Sequence, residues 1–475
     1  MKIRYITSGL MPALLVCAAT FATSCDETLE IGKDINDSNY ADIYQNDAYL
    51  RDGKSGEAST VVELYNNNYQ TTVQLGLSKA SAKGSAATIS IDPAYLETYN
   101  KEHETDFEIF PQDQVSIDND GALTIDAGGK TAYDNITIEA GTTLKEDKTY
   151  AIPLTISDPS GDLNIKNETD RHCVYLVKDM RGASDAYKGE NAVKGFLYFE
   201  VNGVNPLNAL AFQLENGKVL WDAVVLFAAN INYSAADGRP YVACNPQVQY
   251  LLDNSETLLQ PLRRRGVKVL LGLLGNHDMT GLAQLSKQGA KDFARELGQY
   301  VKAYNLDGVN FDDEYSESPD LNNPALTSKG SAAAARLCYE TKQMMPDKMV
   351  TVFAYGSMWG TSSVDGVDAN EWCDAVVPNY GGTAYPLGQM GKDKCAGAAY
   401  EFARNLGSPL TASKAQSLIS GGYGWFMGFA PSPEKFVSQF GKLTGAETLY
   451  GSPLKAPFIY YKWNDPTPYP YPDKW

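Results

Sequence analysis

The ten residues Leu306–Tyr315 read Leu-Asp-Gly-Val-Asn-Phe-Asp-Asp-Glu-Tyr, an apolar strand pattern that runs into a cluster of carboxylates. On a β-strand, successive side chains alternate between two faces, so Asn310, Asp312 and Glu314 share one side while Val309, Phe311 and Asp313 take the other. Two acids one strand repeat apart lie roughly 6–7 Å from Cα to Cα, close enough to interact and split their pKa values. One then keeps a proton while its neighbour is charged, which is the condition for acid–base work.

The surrounding texture says what kind of sheet holds this strand. From Gly195 onward, apolar runs alternate with longer amphipathic stretches: Gly195–Val201, Ala223–Ala228, Val267–Leu274, Gly308–Glu314, Met349–Tyr355, Asp374–Tyr380 and Gly424–Phe429 are the expected strands. Helical spacing of Ala and Leu marks Gly289–Tyr304 and Ser331–Met344 between them. This pattern predicts βα units around a parallel sheet, and about 290 residues fit one (β/α)8 barrel. An eighth strand is needed between Tyr380 and Gly424, and Ala398–Ala403 is its candidate. The tyrosine- and proline-rich end, Tyr460–Trp475, is expected to pack across the outside.

Before this region the texture differs. Short alternating runs such as Thr71–Leu77, Ala87–Ile91, Leu123–Ile125, Asn135–Glu139 and Tyr150–Ile156 are separated by turns such as Asp118-Asn119-Asp120-Gly121, with Tyr95–His103 as one short helix. They predict an all-β sandwich. The small, polar stretch Arg181–Glu190 marks the boundary, giving a leader over 1–24, a sandwich over 25–182 and a barrel over 183–475.

Several functional classes are excluded early. With 40 basic against 58 acidic residues the chain carries −18, which repels phosphate backbones, so nucleic acid is not an expected partner. Only three histidines occur, His103, His172 and His277, far apart in sequence. The cysteines have no Cys-x-x-Cys spacing, so neither a transition-metal site nor a dense disulfide framework is expected. No Gly-x-Ser-x-Gly elbow precedes a strand. Carboxylate chemistry remains.

The polar spacing Asp307, Asn310, Asp312, Glu314 resembles the Asp-x-x-Asp-x-Asp-x-Glu pattern on the fourth barrel strand of glycoside hydrolase family 18. The doubled Asp312-Asp313 and the following Tyr315 are more similar to its endo-β-N-acetylglucosaminidases, of the endoglycosidase H and F kind, than to its chitinases. Asn310 departs from the family's middle aspartate. The strand ends Phe199-Glu200-Val201-Asn202, Ala229-Asn230-Ile231-Asn232 and Leu274-Gly275-Asn276-His277 extend the resemblance. It implies Glu314 as acid and base, Asp312 as the group that orients the substrate's acetamide, and Tyr380 as a contact to that acetamide. Asn310, Asn276, His277, Glu200 and Asn230 are implied as substrate-binding positions; Trp425 reads either as an aromatic floor under a sugar ring or as plain core packing. The implied reaction is hydrolysis between the two core N-acetylglucosamines of asparagine-linked glycans, with retention and without a cofactor. A chitinase and a glycan-binding protein that has lost activity are the alternatives, and a monomer is expected.

The first residues place the protein. Lys2 and Arg4 precede an apolar run from Leu10 to Phe21, then Ala22-Thr23-Ser24 and Cys25. This is a signal peptide pattern. Cys25 after small residues resembles a bacterial lipoprotein cleavage site, and Asp26-Glu27 resembles the surface-export signal of Bacteroides lipoproteins, which implies an outer-membrane, surface-exposed protein held to the membrane only through its lipid. A plain secreted protein is the alternative. Cys25→Ser is expected to move the protein from the membrane fraction to the soluble one; unchanged fractionation would remove the lipid anchor.

Overall fold

The computed structural model describes residues 46–475; the leader and Cys25 lie outside the described residues. Alternation dictates the amino-terminal part. In Asn68–Leu77, Thr71, Val73, Leu75 and Leu77 point inward, and in Thr131–Glu139 Ile136 and Ile138 do the same. These strands belong to a four-stranded antiparallel sheet with Ala48–Asp52 and Val115–Ile117 at its edges. A second sheet runs Ser59–Leu64, His172–Asp179, Thr149–Gly161, Ser85–Ile91, Ala122–Ile125, with Glu108–Ile109 beside Thr149–Gly161. The two sheets share one core, where Val73, Leu75 and Ile136 meet Ile152, Leu154 and Ile156. The run from Thr149 to Leu154 is buried on both faces because helix Tyr95–His103 covers its outer side through Leu96 and Tyr99.

Past a short turn at Arg181–Asp185 the chain forms a ten-stranded sheet. Eight of its strands are mutually parallel: β1 (Lys194–Glu200), β2 (Ala223–Ser234), β3 (Lys268–Leu274), β4 (Gly308–Asp312), β5 (Met349–Ala354), β6 (Ala375–Pro378), β7 (Ala396–Glu401) and β8 (Trp425–Phe429). They pair in the order β6-β5-β4-β3-β2-β1-β8-β7, and a parallel bridge from Val376 of β6 to Cys395 links the two ends of that series. The weak eighth-strand candidate, Ala398–Ala403, is thus β7, two residues out of register with its real bounds.

Helices follow the strands unevenly. Lys287–Ala303, between β3 and β4, is capped by Ser286, whose hydroxyl accepts from Gly289 N at 3.1 Å, and buries Ala290, Phe293, Ala294, Leu297 and Val301 along one face. Gly289 is required there, since a Cβ would stand 2.0 Å from the Ala325 carbonyl. Ser331–Met344 joins β4 to β5 and packs on the first helix. By contrast β1 reaches β2 through a 3-10 turn, Pro206–Ala211, and β6 reaches β7 through another, Lys392–Lys394, without an α-helix. The tail packs on helices and on the carboxyl end of β1: Trp463 stacks on Tyr250 of helix Pro246–Asp253 at 5.4 Å and Tyr471 on Phe436 of helix Phe436–Phe440 at 6.0 Å, while Trp463 Nε1 donates to Val201 O at 2.7 Å and Asn205 Nδ2 donates to the carbonyls of Lys462 and Asp465.

The two parts are joined by a buried charge network at the amino end of β4. Arg263 forks onto Asp307, with Nε–Oδ2 at 2.8 Å and Nη2–Oδ1 at 3.0 Å, and also pairs with Glu63 of the amino-terminal part. Val269 N donates to Asp307 Oδ2 at 2.9 Å, and Asn305 Nδ2 donates to Glu63 at 3.0 Å. Burial alone would raise the Glu63 carboxyl, but the Arg263 charge and its hydrogen bonds outweigh it and bring the value down to about 2. Asp307 is likewise lowered by Arg263 against its own burial.

Arg263→Ala removes the cation these carboxylates share, and is expected to cost roughly 3–5 kcal/mol of unfolding free energy at neutral pH. Both carboxyls titrate lower when folded, so the network's contribution is fully present above the ordinary glutamate value of 4.5 and is lost as pH falls towards about 2. In urea denaturation the deficit of the variant should therefore shrink across that window. An equal deficit at pH 7 and at the acid end would contradict this account.

Candidate active site

The carbonyl of Glu314 lies against Gly275, where a Cβ would come within 2.0 Å of it, and His277 N donates to the Tyr315 carbonyl at 2.7 Å. The end of β3 thereby fixes the turn that leaves β4. Tyr315 takes a left-handed backbone, φ 59°, within it. The strand itself stops at Asp312, earlier than alternation predicts, so Glu314 reaches the cavity from this held turn rather than from the pleat. The pairing survives the difference: the Asp312 and Glu314 carboxyls lie within hydrogen-bonding reach of each other.

Asp313 leaves on the other side, as alternation requires. Its carboxylate pairs with Lys329 Nζ at 2.8 Å and accepts from Ala283 N at 3.3 Å, which anchors the turn. Asp312 is only 2% exposed. Burial, then the charges of Glu314 and Asp313, raise its carboxyl well above the usual carboxylate range. Glu314 is raised too, by burial, with the hydrogen bond from Asp312 pulling the other way. Both members are therefore harder to ionise than isolated carboxyls, and burial weighs more on Asp312.

A cavity of about 340 Å³ opens beside the pair. Tyr380, Phe353 and Phe429 form one aromatic wall, with Tyr380 ring centroids 6.2 Å from Phe353 and 5.6 Å from Phe429. Burial, and next the charge of Glu401, raise the Tyr380 hydroxyl, so it remains a proton donor. Glu200 enters from the end of β1 and Arg404 from beyond β7. Tyr198, Phe227 and Tyr355 complete the lining near Asp312.

Of the positions expected from sequence, Glu314, Asp312, Tyr380 and Glu200 meet in this cavity. Others stand elsewhere. Asn310 is fully buried beneath Asp312, donating through Nδ2 to Thr351 Oγ1 at 2.9 Å, so it supports the strand and does not contact a ligand. Asn230 donates to the carbonyls of Leu274 and Gly275, tying β2 to β3. Asn276 and His277 are exposed at the rim, with the His277 ring 5.2 Å from that of Tyr315. Trp425 is a correction: it begins β8, at the opposite end of the strand from the cavity, and stacks on Phe196 at 4.3 Å inside the core. Phe429, at the carboxyl end of the same strand, is the aromatic that lines the cavity. Trp359 also packs inside, its Nε1 donating to Tyr385 O.

Sequence reasoning missed Phe429, Phe227, Phe353, Glu401 and Arg404. The signal existed for Phe429, Phe353 and Glu401, because they lie at or next to the carboxyl ends of β8, β5 and β7, and polar or aromatic residues at those ends are the ones to inspect. Glu401 and Arg404 stayed hidden because the candidate for the alanine-rich β7, Ala398–Ala403, ran two residues past the real strand, whose carboxyl end is Glu401. A larger cleft of about 500 Å³ lies at the amino end of β4, by Tyr65, Lys194 and Trp425, but its acids are already ion-paired, Asp307 to Arg263 and Asp222 to Lys188.

Comparison with known proteins agrees with this geometry. A family model described as a "-like, N-terminal domain" matches residues 43–163. Endo-beta-N-acetylglucosaminidase F1 of Elizabethkingia meningoseptica is 44% identical over 273 residues, 55% of this chain and 79% of that protein. An endo-beta-N-acetylglucosaminidase of Flavobacterium sp. (strain SK1022) is 32% identical over 48% of this chain and 72% of its own length. Among solved structures, Bacteroides thetaiotamicron EndoBT-3987 with its Man5GlcNAc product is 67% identical, covers 90% of this chain and 100% of its own, and superposes with a TM-score of 0.62. The same enzyme is also described in complex with a Man9GlcNAc2Asn substrate. With a carboxylate pair at the end of its fourth parallel strand and relatives of this identity and coverage, the chain belongs to the endo-β-N-acetylglucosaminidases of glycoside hydrolase family 18.

Proposed function

We propose that the protein hydrolyses the β-1,4 bond between the two core N-acetylglucosamines of asparagine-linked glycans. The observation that carries this reading is the Asp312–Glu314 pair, both carboxyls raised by burial, lining one sugar-sized cavity with Tyr380. The similar Bacteroides enzyme supports it, because its substrate, Man9GlcNAc2Asn, holds two N-acetylglucosamines and its product, Man5GlcNAc, only one. A chitinase would share the acids, but the two curated relatives are both endo-β-N-acetylglucosaminidases. We further infer a (β/α)8 barrel closed between β6 and β7, preceded by a sandwich with the division at 182/183, and a monomer tethered at the outer surface through lipid on Cys25.

The chemistry follows from the proton. Most retaining glycosidases set a carboxylate nucleophile across the sugar from the acid, whereas family 18 is among the exceptions in which the substrate's own 2-acetamido oxygen attacks the anomeric carbon. As the acetamide N–H donates to Asp312, that carboxyl gives its proton across to Glu314. Glu314 then protonates the departing glycosidic oxygen while the acetamide oxygen bonds to C1, leaving an oxazolinium ion whose charge Asp312 balances. Tyr380 donates to the acetamide oxygen and aligns it. Water next attacks C1, Glu314 takes its proton, and the C1–acetamide bond opens with net retention.

These roles separate in variants. Glu314→Gln should lower kcat on a high-mannose glycoprotein by about a thousandfold, within the range of general acid catalysis. Asp312→Asn should also be slow, because oxazolinium formation loses its charged partner. A preformed sugar oxazoline bypasses that step, so the Asp312 variant should still transfer this donor to an N-acetylglucosamine acceptor, while the Glu314 variant, lacking its base, does so poorly. Equal transfer by both would reverse the assignment, and full hydrolysis by Glu314→Gln would remove the site.

A further inference from the structure

Outside the reacting pair, the cavity contains a second group of charged side chains that the hydrolysis steps do not use. β7, β8 and β1 are neighbours, and β8 stands four places along the sheet from β4. Glu401 ends β7, beside Phe429 of β8, and is 2% exposed. One of its oxygens accepts from Arg404 Nε at 2.7 Å; the other is buried without a hydrogen-bond partner. Arg404 is held only through Nε. Its two terminal nitrogens have no protein hydrogen-bond partner among the described residues, and its side chain, 68% exposed, lines the cavity with Glu200.

A solvated surface pair does not need a fully buried carboxylate. Burying Glu401 costs free energy that one hydrogen bond from an exposed arginine only partly offsets. What this arrangement supplies is orientation: with Nε fixed, the planar guanidinium keeps two coplanar donor groups directed at the cavity. Glu200 adds an acceptor beside them. Two parallel donors and a neighbouring carboxylate match adjacent sugar hydroxyls, which both accept and donate.

We propose that Arg404 and Glu200 form a hydroxyl-binding clamp for the glycan on the wall facing Asp312 and Glu314, and that Glu401 is a positioning residue acting through Arg404. This rests on the glycosidase reading above. The clamp sets affinity, since it touches hydroxyls that do not change during reaction, so its loss raises KM more than it lowers kcat. Glu401 also faces Tyr380, whose hydroxyl feels its charge, which places the clamp next to the acetamide contact.

The test is calorimetric titration of Man5GlcNAc into the wild-type protein and into Arg404→Ala, Arg404→Lys, Glu401→Gln and the Arg404→Ala/Glu401→Gln double variant, with KM and kcat on a high-mannose glycoprotein in parallel. Arg404→Ala is expected to weaken binding about tenfold, as for loss of charged hydrogen bonds, and to raise KM in step with that loss while kcat stays within about threefold of the wild type. Arg404→Lys, which keeps the charge but not the fork, should lose several-fold and serves if the alanine variant does not fold. The double variant should bind no worse than Arg404→Ala. Wild-type affinity in Arg404→Ala and Arg404→Lys, or a fall in kcat at unchanged KM, would reduce the pair to a structural strut and overturn the clamp; losses that multiply in the double variant would overturn the role of Glu401. If the wild-type protein itself neither binds the glycan nor cleaves the glycoprotein, the glycosidase reading fails instead.

Discussion

Two carboxyl groups on one wall of a small cavity cannot both ionise without strong repulsion, and the rest of the site depends on that constraint. Asp312 is almost completely buried and Glu314 partly so, and both are pushed above the ordinary carboxylate range. Both are therefore harder to ionise than isolated surface acids, which favours a proton kept on the pair. That proton is what the leaving sugar requires. The nearby Asp313 would spoil the arrangement if its charge were loose, but Lys329 pairs with it on the other side of the strand.

β4 is held at both ends, and this is how the pair keeps its geometry. At its amino end, Asp307 accepts the Arg263 fork and the Val269 amide, with Glu63 reaching in from the amino-terminal sheets. At its carboxyl end, the Glu314 carbonyl runs against Gly275 and the Tyr315 carbonyl takes the His277 amide. Between the two clamps every residue from Gly308 to Asp312 is buried. The first aspartate of the family pattern is thus a structural anchor, the last two acids are the pair that lines the cavity, and the position between them, Asn310, is a neutral strut to Thr351. An amide suits that place, since a third charge beneath Asp312 would raise the cost of ionising the pair.

The strand pattern was legible because burial on both faces of a parallel sheet leaves long apolar runs, and seven of the eight strands announce themselves that way. β7 did not, because Ala396–Glu401 is small-residue sequence whose burial comes from its neighbours rather than from its own bulk. Placing its end two residues too late concealed Glu401 and Arg404 as well. Trp425 shows the second limit: type and strand were read correctly, but periodicity does not tell which end of a strand meets the cavity, and Phe429, four residues on, is the aromatic of that strand that lines it. The tail shows a third, since nothing in its composition says that Trp463 will dock on the Val201 carbonyl.

The shared proton can be observed without turnover. Carbon-13 labelling of aspartate and glutamate side chains, with Asp312→Asn and Glu314→Gln used to assign the two resonances, follows their titration in the unliganded wild-type protein. The account predicts two linked steps, with one proton still on the pair, mainly at Asp312, at a pH where exposed carboxyls are fully ionised. Two independent titrations at ordinary carboxylate values would contradict it.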